Sequence, residues 1–251
     1  KNIEDISFNV KKGEMIAIAG KNGAGKSTLA KLICGFEKPD SGKIYLDGID
    51  TKNLSIKEIA EKVGFVMQNP NQMISKAKIY DEISLGLEFR GKSEEFIDQK
   101  VKEVLKVCGL EPFIDWPISA LSYGQKKRVT IASILALDPE IIILDEPTAG
   151  QDYKHYTEIM EFLENLNKQG VTVIMITHDM HLMLEYTSRS LVFSDGKLIA
   201  NDKPSNLLTK DYIIDKGNLV ETSLYKISKK LALEKPSIIV DAFVNHERSI
   251  R

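Results

Sequence analysis

Cysteine is scarce: Cys34 and Cys108 are the only two in 251 residues, far apart and without CxxC or CxxH spacing. That excludes a zinc ribbon and a disulfide framework, and leaves two core thiols of a reducing compartment. Charge of one sign is lacking too. The 34 Lys and Arg nearly balance 36 Asp and Glu, a net charge of -2. Nucleic-acid binding calls for a basic balance or stripe, so no nucleic-acid partner is expected. No apolar run reaches the ~20 residues of a membrane helix, and nothing like a signal peptide opens the chain. Any membrane role is therefore expected to come through a partner. What remains is 43% hydrophobic and 28% charged, the composition of an ordinary globular protein with one large domain and room for a small appendage.

Strands and helices alternate along most of the length, which predicts an α/β fold with a mainly parallel sheet. Residues 3–10 alternate like a strand in mid-sheet. Lys1 is not a methionine, so the chain is expected to have been cut or to belong to a longer polypeptide. The tetrad Pro39-Asp40-Ser41-Gly42 precedes a short strand over 43–46 and a turn at Asp47-Gly48. A helix over about 55–62 leads into a strand over 63–67. From about 69 to 136 the pattern is helical, with apolar positions at Phe96, Val101, Val104, Leu105 and Val107. β-branched runs at 141–144, 171–176 and 191–193 suit strands buried on both faces. Past Pro204 the chain turns helical again, and from Lys235 no strong period is visible.

Chemistry concentrates first at Gly20-Lys21-Asn22-Gly23-Ala24-Gly25-Lys26-Ser27, which fits G-x-x-x-x-G-K-[ST]. The apolar strand 15–19 runs into it and a helical run from Thr28 leaves it. Glycines let backbone N–H groups curl around phosphate, with the positive end of the helix dipole behind them. Lys26 can then reach the β- and γ-phosphates and the Ser27 hydroxyl can ligate Mg²⁺. Such a cradle suits a kinase, a GTPase, a helicase or a transporter motor. A second strand, 141–144, ends in Asp145-Glu146. Asp145 can bind Mg²⁺ there, directly or through water, and Glu146 can polarise an attacking water. Ser122 reads as the N-cap of a helix carrying Lys126, Lys127 and Arg128, a start that is itself an anion site.

Leu121-Ser122-Tyr123-Gly124-Gln125 resembles the LSGGQ signature of the ATP-binding cassette (ABC) ATPases, and further motifs of that family follow its order. Gln68, at the end of strand 63–67, matches the Q-loop glutamine that touches Mg²⁺ and the lytic water. Thr148 to Asp152 resembles the D-loop, with Asp152 at its acidic position. His178 matches the switch histidine that contacts the γ-phosphate. The resemblance implies a P-loop NTPase (RecA-like) core with an antiparallel β subdomain and an α-helical signature subdomain over about 70–136. The nucleotide-binding domain would span 1–205 and a C-terminal helical extension 206–251. It also implies ATP and Mg²⁺ as cofactors, with Asn22, Ala24, Thr28 and Gln125 completing the nucleotide set and Glu146, His178 and Gln68 in catalysis. Two cassettes would close head to tail, the Gly20 loop of one facing Ser122 and Gly124 of the other, as a homodimer, a heterodimer or a fused tandem.

Within that family, Gln68-Asn69-Pro70-Asn71-Gln72 and Tyr80 to Gly86 resemble the QNPxxQ and V-x-[DE]-[DE]-V-x-F-G stretches of the energy-coupling factor (ECF) importers of vitamins and metals. That implies a transmembrane scaffold subunit, a substrate-binding membrane subunit, and a peripheral place on the cytoplasmic face of the cell membrane. An ordinary ABC importer or exporter is the alternative; an ABC-F translation factor would add a second cassette and a basic linker. The amphipathic segment 223–231 suits burial against a partner or against its own domain alike. Tyr123 stands where the signature has its first glycine, and Gln151 where the D-loop has leucine. Tyr123 is tolerable there if its ring points away from phosphate. The family's adenine-stacking aromatic lies upstream of Lys1, so weak nucleotide binding is expected.

Overall fold

The computed structural model describes residues 3–249, the side chain of His155 aside. In chain order its elements are β1 (Met15–Gly20), α1 (Lys26–Ile33), β2 (Tyr45–Leu46), β3 (Ile49–Asp50), α2 (Ile56–Lys62) and β4 (Val63–Val66). α3 (Ile79–Phe89), α4 (Glu94–Val107), α5 (Tyr123–Leu135), β5 (Ile141–Asp145), α6 (Tyr153–Lys168) and β6 (Thr172–Ile176) follow. The chain continues through α7 (Met180–Tyr186), β7 (Arg189–Ser194), β8 (Lys197–Asp202), α8 (Pro204–Leu207), α9 (Asp211–Gly217), α10 (Ser223–Lys230) and α11 (Pro236–Ser249). Two units divide these: Lys1–Lys31 with Ile174–Arg251, and Leu32–Val173.

The first unit has the strand order β6-β1-β7-β8. β1 is buried over its whole length and runs parallel to β7, while β8 returns antiparallel. A strand covered on both faces needs apolar residues at successive positions, as the run Met15-Ile16-Ala17-Ile18-Ala19 provides. Its core joins Ala17, Ala19 and Val192 to Met183, Leu208, Ile214, Tyr225, Val240 and Val244. The chain past residue 206 therefore folds back on its own unit, and Tyr225 carries α10 with it while Ile227 and Leu231 stay exposed.

The tail from Lys235 has no legible period because α11 bears apolar side chains on both faces. Val240 and Val244, one turn apart, are buried, but Ile238, Ile239 and Phe243 are exposed. Arg248 adds a polar tie, donating to the carbonyls of Leu184 (3.3 Å) and Glu185 at the end of α7. Val240→Ala is expected to lower stability by about 1.5–2.5 kcal/mol, from lost apolar burial and an unfilled cavity. Ile238→Ala should change it by less than about 0.5 kcal/mol. Urea denaturation of the two variants checks the assigned face, and equal losses would contradict it.

The second unit has the order β4-β5-β6, with β4 parallel to β5. α3, α4 and α5 pack on one another through Ile79, Ile83, Leu87, Val101, Leu105, Val129 and Ile131, all fully buried. Ser55 caps α2 in a reciprocal box with Glu58, which fixes the helix expected there. Cys34 and Cys108 are free and buried, and burial pushes both thiols up to about 12.

Two expectations are corrected. Residues 3–10 form no strand, and Asp5 at φ +50° interrupts the extended run near its start. The strand over 43–46 shrinks to Tyr45–Leu46, half of a hairpin whose turn places both Asp47 and Gly48 at positive φ. Phe96 and Val107 flank the buried stripe of α4 rather than join it, and are 40% and 45% exposed. Among the described residues no helix is long and apolar enough to cross a membrane.

Candidate functional site

The loop after β1 turns on three glycines: Gly20, Gly23 and Gly25 have φ of +135°, +74° and +102°, angles that side chains resist. The turn delivers the chain into α1, whose first residue is Lys26. That lysine is only 7% exposed. Its Nζ donates back into the loop, to the carbonyls of Gly20 at 2.6 Å and Lys21 at 3.1 Å. A cation is thus held at the mouth of a glycine turn and the start of a helix, three features that each favour an anion. Ala24 and Gly25 are buried, Thr28 is half-buried, and Asn22, Gly23 and Ser27 face solvent.

His178 lies in the same unit, just past β6. Thr177 before it donates its N–H to the Ile18 carbonyl (3.1 Å). Asp179 after it caps α7, accepting from the N–H groups of His181 (2.9 Å) and Leu182 (3.1 Å). Both neighbours are fixed, so the imidazole is presented from a rigid corner. Burial lowers the His178 pKa below its ordinary 6.5, and the Lys26 charge lowers it further. The ring is therefore neutral at pH 7, able to donate from one nitrogen and accept at the other.

The second unit carries the remaining expected residues. Ser122 and Gln125 form a reciprocal capping box at the start of α5: the Ser122 hydroxyl accepts from the Gln125 N–H (3.2 Å) and Gln125 Oε1 from the Ser122 N–H (2.8 Å). The N-cap is as expected, and the Gln125 side chain is used in making it. Gly124 is buried, and a Cβ there would collide with the Gln151 amide, so the residue in place of the D-loop leucine packs against the signature glycine. Asp145 ends β5, and Glu146 follows in a left-handed conformation at φ +48°. Gln68 and Asp152 are exposed, the latter just before α6.

Lys127 is the residue that sequence reasoning missed. Lys126, Lys127 and Arg128 do not act as one cationic patch. Arg128 pairs with Glu158, Lys126 Nζ lies 3.5 Å from Asn71 Oδ1, and Lys127 turns inward, 1% exposed. Its Nζ donates to the carbonyls of Met67 (2.8 Å), Gln68 (3.0 Å) and Asp145 (3.1 Å). Burial pushes the ammonium down to about 8, against the opposing pull of the Asp145 and Glu146 carboxylates. The signal was present: Lys127 falls on the stripe Gly124, Lys127, Ile131, Leu135, whose other members are buried. Tyr123 is more than a tolerated departure from glycine: its hydroxyl donates to the Gln68 carbonyl at 3.0 Å.

A family model described as ABC transporter matches residues 3–149. The chain belongs to the ABC transporter family. Relatives described as ABC transporter ATP-binding proteins include one from Enterococcus faecalis, 59% identical over 100% of this chain and 44% of its own length. Another, from Clostridium perfringens, is 55% identical over 99% of this chain and 44% of its own. The chain thus spans under half the length of these curated relatives. Among solved structures, cbiO1 from Clostridium perfringens, part of the ABC transporter complex cbiONQ, has a TM-score of 0.79 at 36% identity, covering 92% of both chains. The ABC cassette MJ0796, solved as a dimer bound to ADP and Pi after hydrolysis, has a TM-score of 0.73 at 34% identity, over 80% of this chain and 90% of its own. The fold is that of the P-loop ABC cassettes.

Proposed function

We propose that the chain is the ATP-hydrolysing motor cassette of an ECF-type importer, coupling ATP binding and hydrolysis by a pair of cassettes to uptake of a metal ion or vitamin. The likeness to cbiO1 carries this reading. It extends over 92% of this chain. The first 205 of the 251 residues make up only about 82%, so the likeness is not confined to them. The Asn69 to Gly86 resemblance supports the same assignment. In this reading the nucleotide-binding domain spans 1–205 and the extension 206–251.

The roles follow from chemistry. Gly20 to Thr28 binds the phosphates, with Lys26 offsetting their charge. Glu146 takes a proton from the attacking water, and Gln68 and the neutral His178 orient that water and the γ-phosphate. Ser122, Gly124 and Asp152 face the ATP of a second cassette, whether a copy, a homologue or a fused neighbour. Among the described residues no group of three His, Cys, Asp or Glu could hold a metal alone. The residues that would hold Mg²⁺ are Ser27, Gln68 and Asp145, all oxygen donors of the kind this ion takes alongside waters and substrate phosphates. When bound, it neutralises charge on the phosphates. Cargo never touches this cassette; a transmembrane scaffold and a separate substrate-binding membrane subunit carry it, with the cassette peripheral on the cytoplasmic face.

Purification of the full polypeptide from detergent-solubilised membranes tests the reading. A scaffold subunit and a small substrate-binding membrane protein should co-purify, and cargo should be taken up on reconstitution with ATP. Recovery with a single exporter-type membrane subunit, and outward transport, would overturn it.

A further inference from the structure

Met67 and Gln68 follow β4, and Asp145 ends β5. The two strands run side by side, with Val66 opposite Leu144. Backbone carbonyls at strand ends can take donors from outside the ladder. Three of them, on Met67, Gln68 and Asp145, share the single ammonium of Lys127. An ammonium has three N–H bonds and no acceptor, so donors and acceptors match in number. The Gln68 carbonyl takes a second bond from the Tyr123 hydroxyl. Both donors stand in the first turns of α5, four residues apart and hence on one face of the helix.

We propose that Lys127 and Tyr123 are positioning residues, which fasten the Gln68 peptide and the end of β5 to the start of α5. Gln68, the Asp145-Glu146 carboxylates and the Ser122 to Gly124 turn then keep one register during turnover. The inference rests on the ATPase reading of the same residues. Both donors bond backbone carbonyls, so the side chains of Gln68 and Glu146 remain available for chemistry. Burying an ammonium is costly unless it is hydrogen-bonded, and a methionine of similar length would fill the space without tying three segments together. The Tyr123 bond is the more telling of the two, because that ring is 40% exposed and fills no core.

Tyr123→Phe separates positioning from folding, since it removes one hydroxyl from a half-exposed ring; Lys127→Met is the stronger partner variant. Steady-state ATP turnover, KM for ATP, the thermal midpoint and amide hydrogen exchange are measured on the full chain. Tyr123→Phe should lower kcat about fivefold, the worth of one hydrogen bond. KM should stay within twofold, the midpoint should hold, and exchange should quicken at residues 67–69. Lys127→Met should lower kcat at least tenfold and quicken exchange at 145–147 as well. An unchanged kcat in Tyr123→Phe, or a loss that follows KM or the midpoint, would overturn the proposal. Should the wild type turn over no ATP, the ATPase reading fails, and exchange decides alone: faster at Gln68 supports the tie, unchanged rejects it.

Discussion

Glu146→Gln should lower ATP turnover by about 10²- to 10⁴-fold, the usual contribution of a positioned general base, while nucleotide binding and ATP-dependent dimerisation persist or strengthen. The substitution keeps the shape and removes the proton acceptor. Three features make Glu146 the group to lose. It follows directly on β5, a strand whose central residues Ile142, Ile143 and Leu144 are fully buried, so its Cα is held by the rigid part of its unit. It adopts φ +48°, a conformation that non-glycine residues take at a cost and that clusters at functional sites. Its carboxylate also lies within electrostatic reach of the buried Lys127 ammonium. Turnover assays paired with gel filtration in ATP check the expectation. Full activity would remove Glu146 from the role, and loss of dimerisation together with turnover would indicate a folding defect instead.

Much of this site was legible because its chemistry requires residue types at fixed spacing. A glycine turn between a strand and a helix needs Gly20 to Ser27 to be contiguous, and a capped helix start needs Ser122 and Gln125 three apart. The strands were legible for a different reason: burial on both faces demands unbroken apolar runs such as Ile141 to Leu144. What escaped were features settled by tertiary contact. Lys127 looked like one cation among three, since nothing local says that two strand ends will place three carbonyls around it. Tyr123 looked like a departure from a glycine, when its hydroxyl meets a residue 55 positions earlier. α11 was hidden by its own composition, because apolar residues on both faces cancel the helical period. Residues 3–10 failed in the opposite sense: a strand-like pattern is there, but the segment forms no ladder and turns left-handed at Asp5.

Gly20→Ala should cost several kcal/mol of stability and should also weaken ATP binding. Gly20 is the last residue of β1, paired in register with Phe193 of β7. Its φ of +135° is one that alanine avoids, at a strain of about 1–3 kcal/mol. A Cβ there would overlap the Phe193 carbonyl oxygen and stand 2.9 Å from its carbon. A side chain in the way could rotate aside. A backbone carbonyl in a parallel ladder can yield only if the two strands shift, and an overpacked site of that kind costs about another 1–3 kcal/mol. Against the 5–15 kcal/mol that usually holds a domain together, the sum is a large fraction. Gly42→Ala is the matching control: φ is +79° and nothing lies within 4 Å of its Cβ position, so only the backbone term of about 1 kcal/mol remains. Urea titration of both variants compares the terms directly. The phosphate loop supplies a second readout, because the Gly20 carbonyl accepts the 2.6 Å bond from Lys26. A shift of β1 against β7 moves that carbonyl, and the ammonium with it. Calorimetry with Mg²⁺-ATP should therefore show weaker binding for Gly20→Ala under conditions where it is still folded, and unchanged binding for Gly42→Ala. Equal losses of stability in the two variants would mean that the close approach to Phe193 does not set the requirement for glycine at this position.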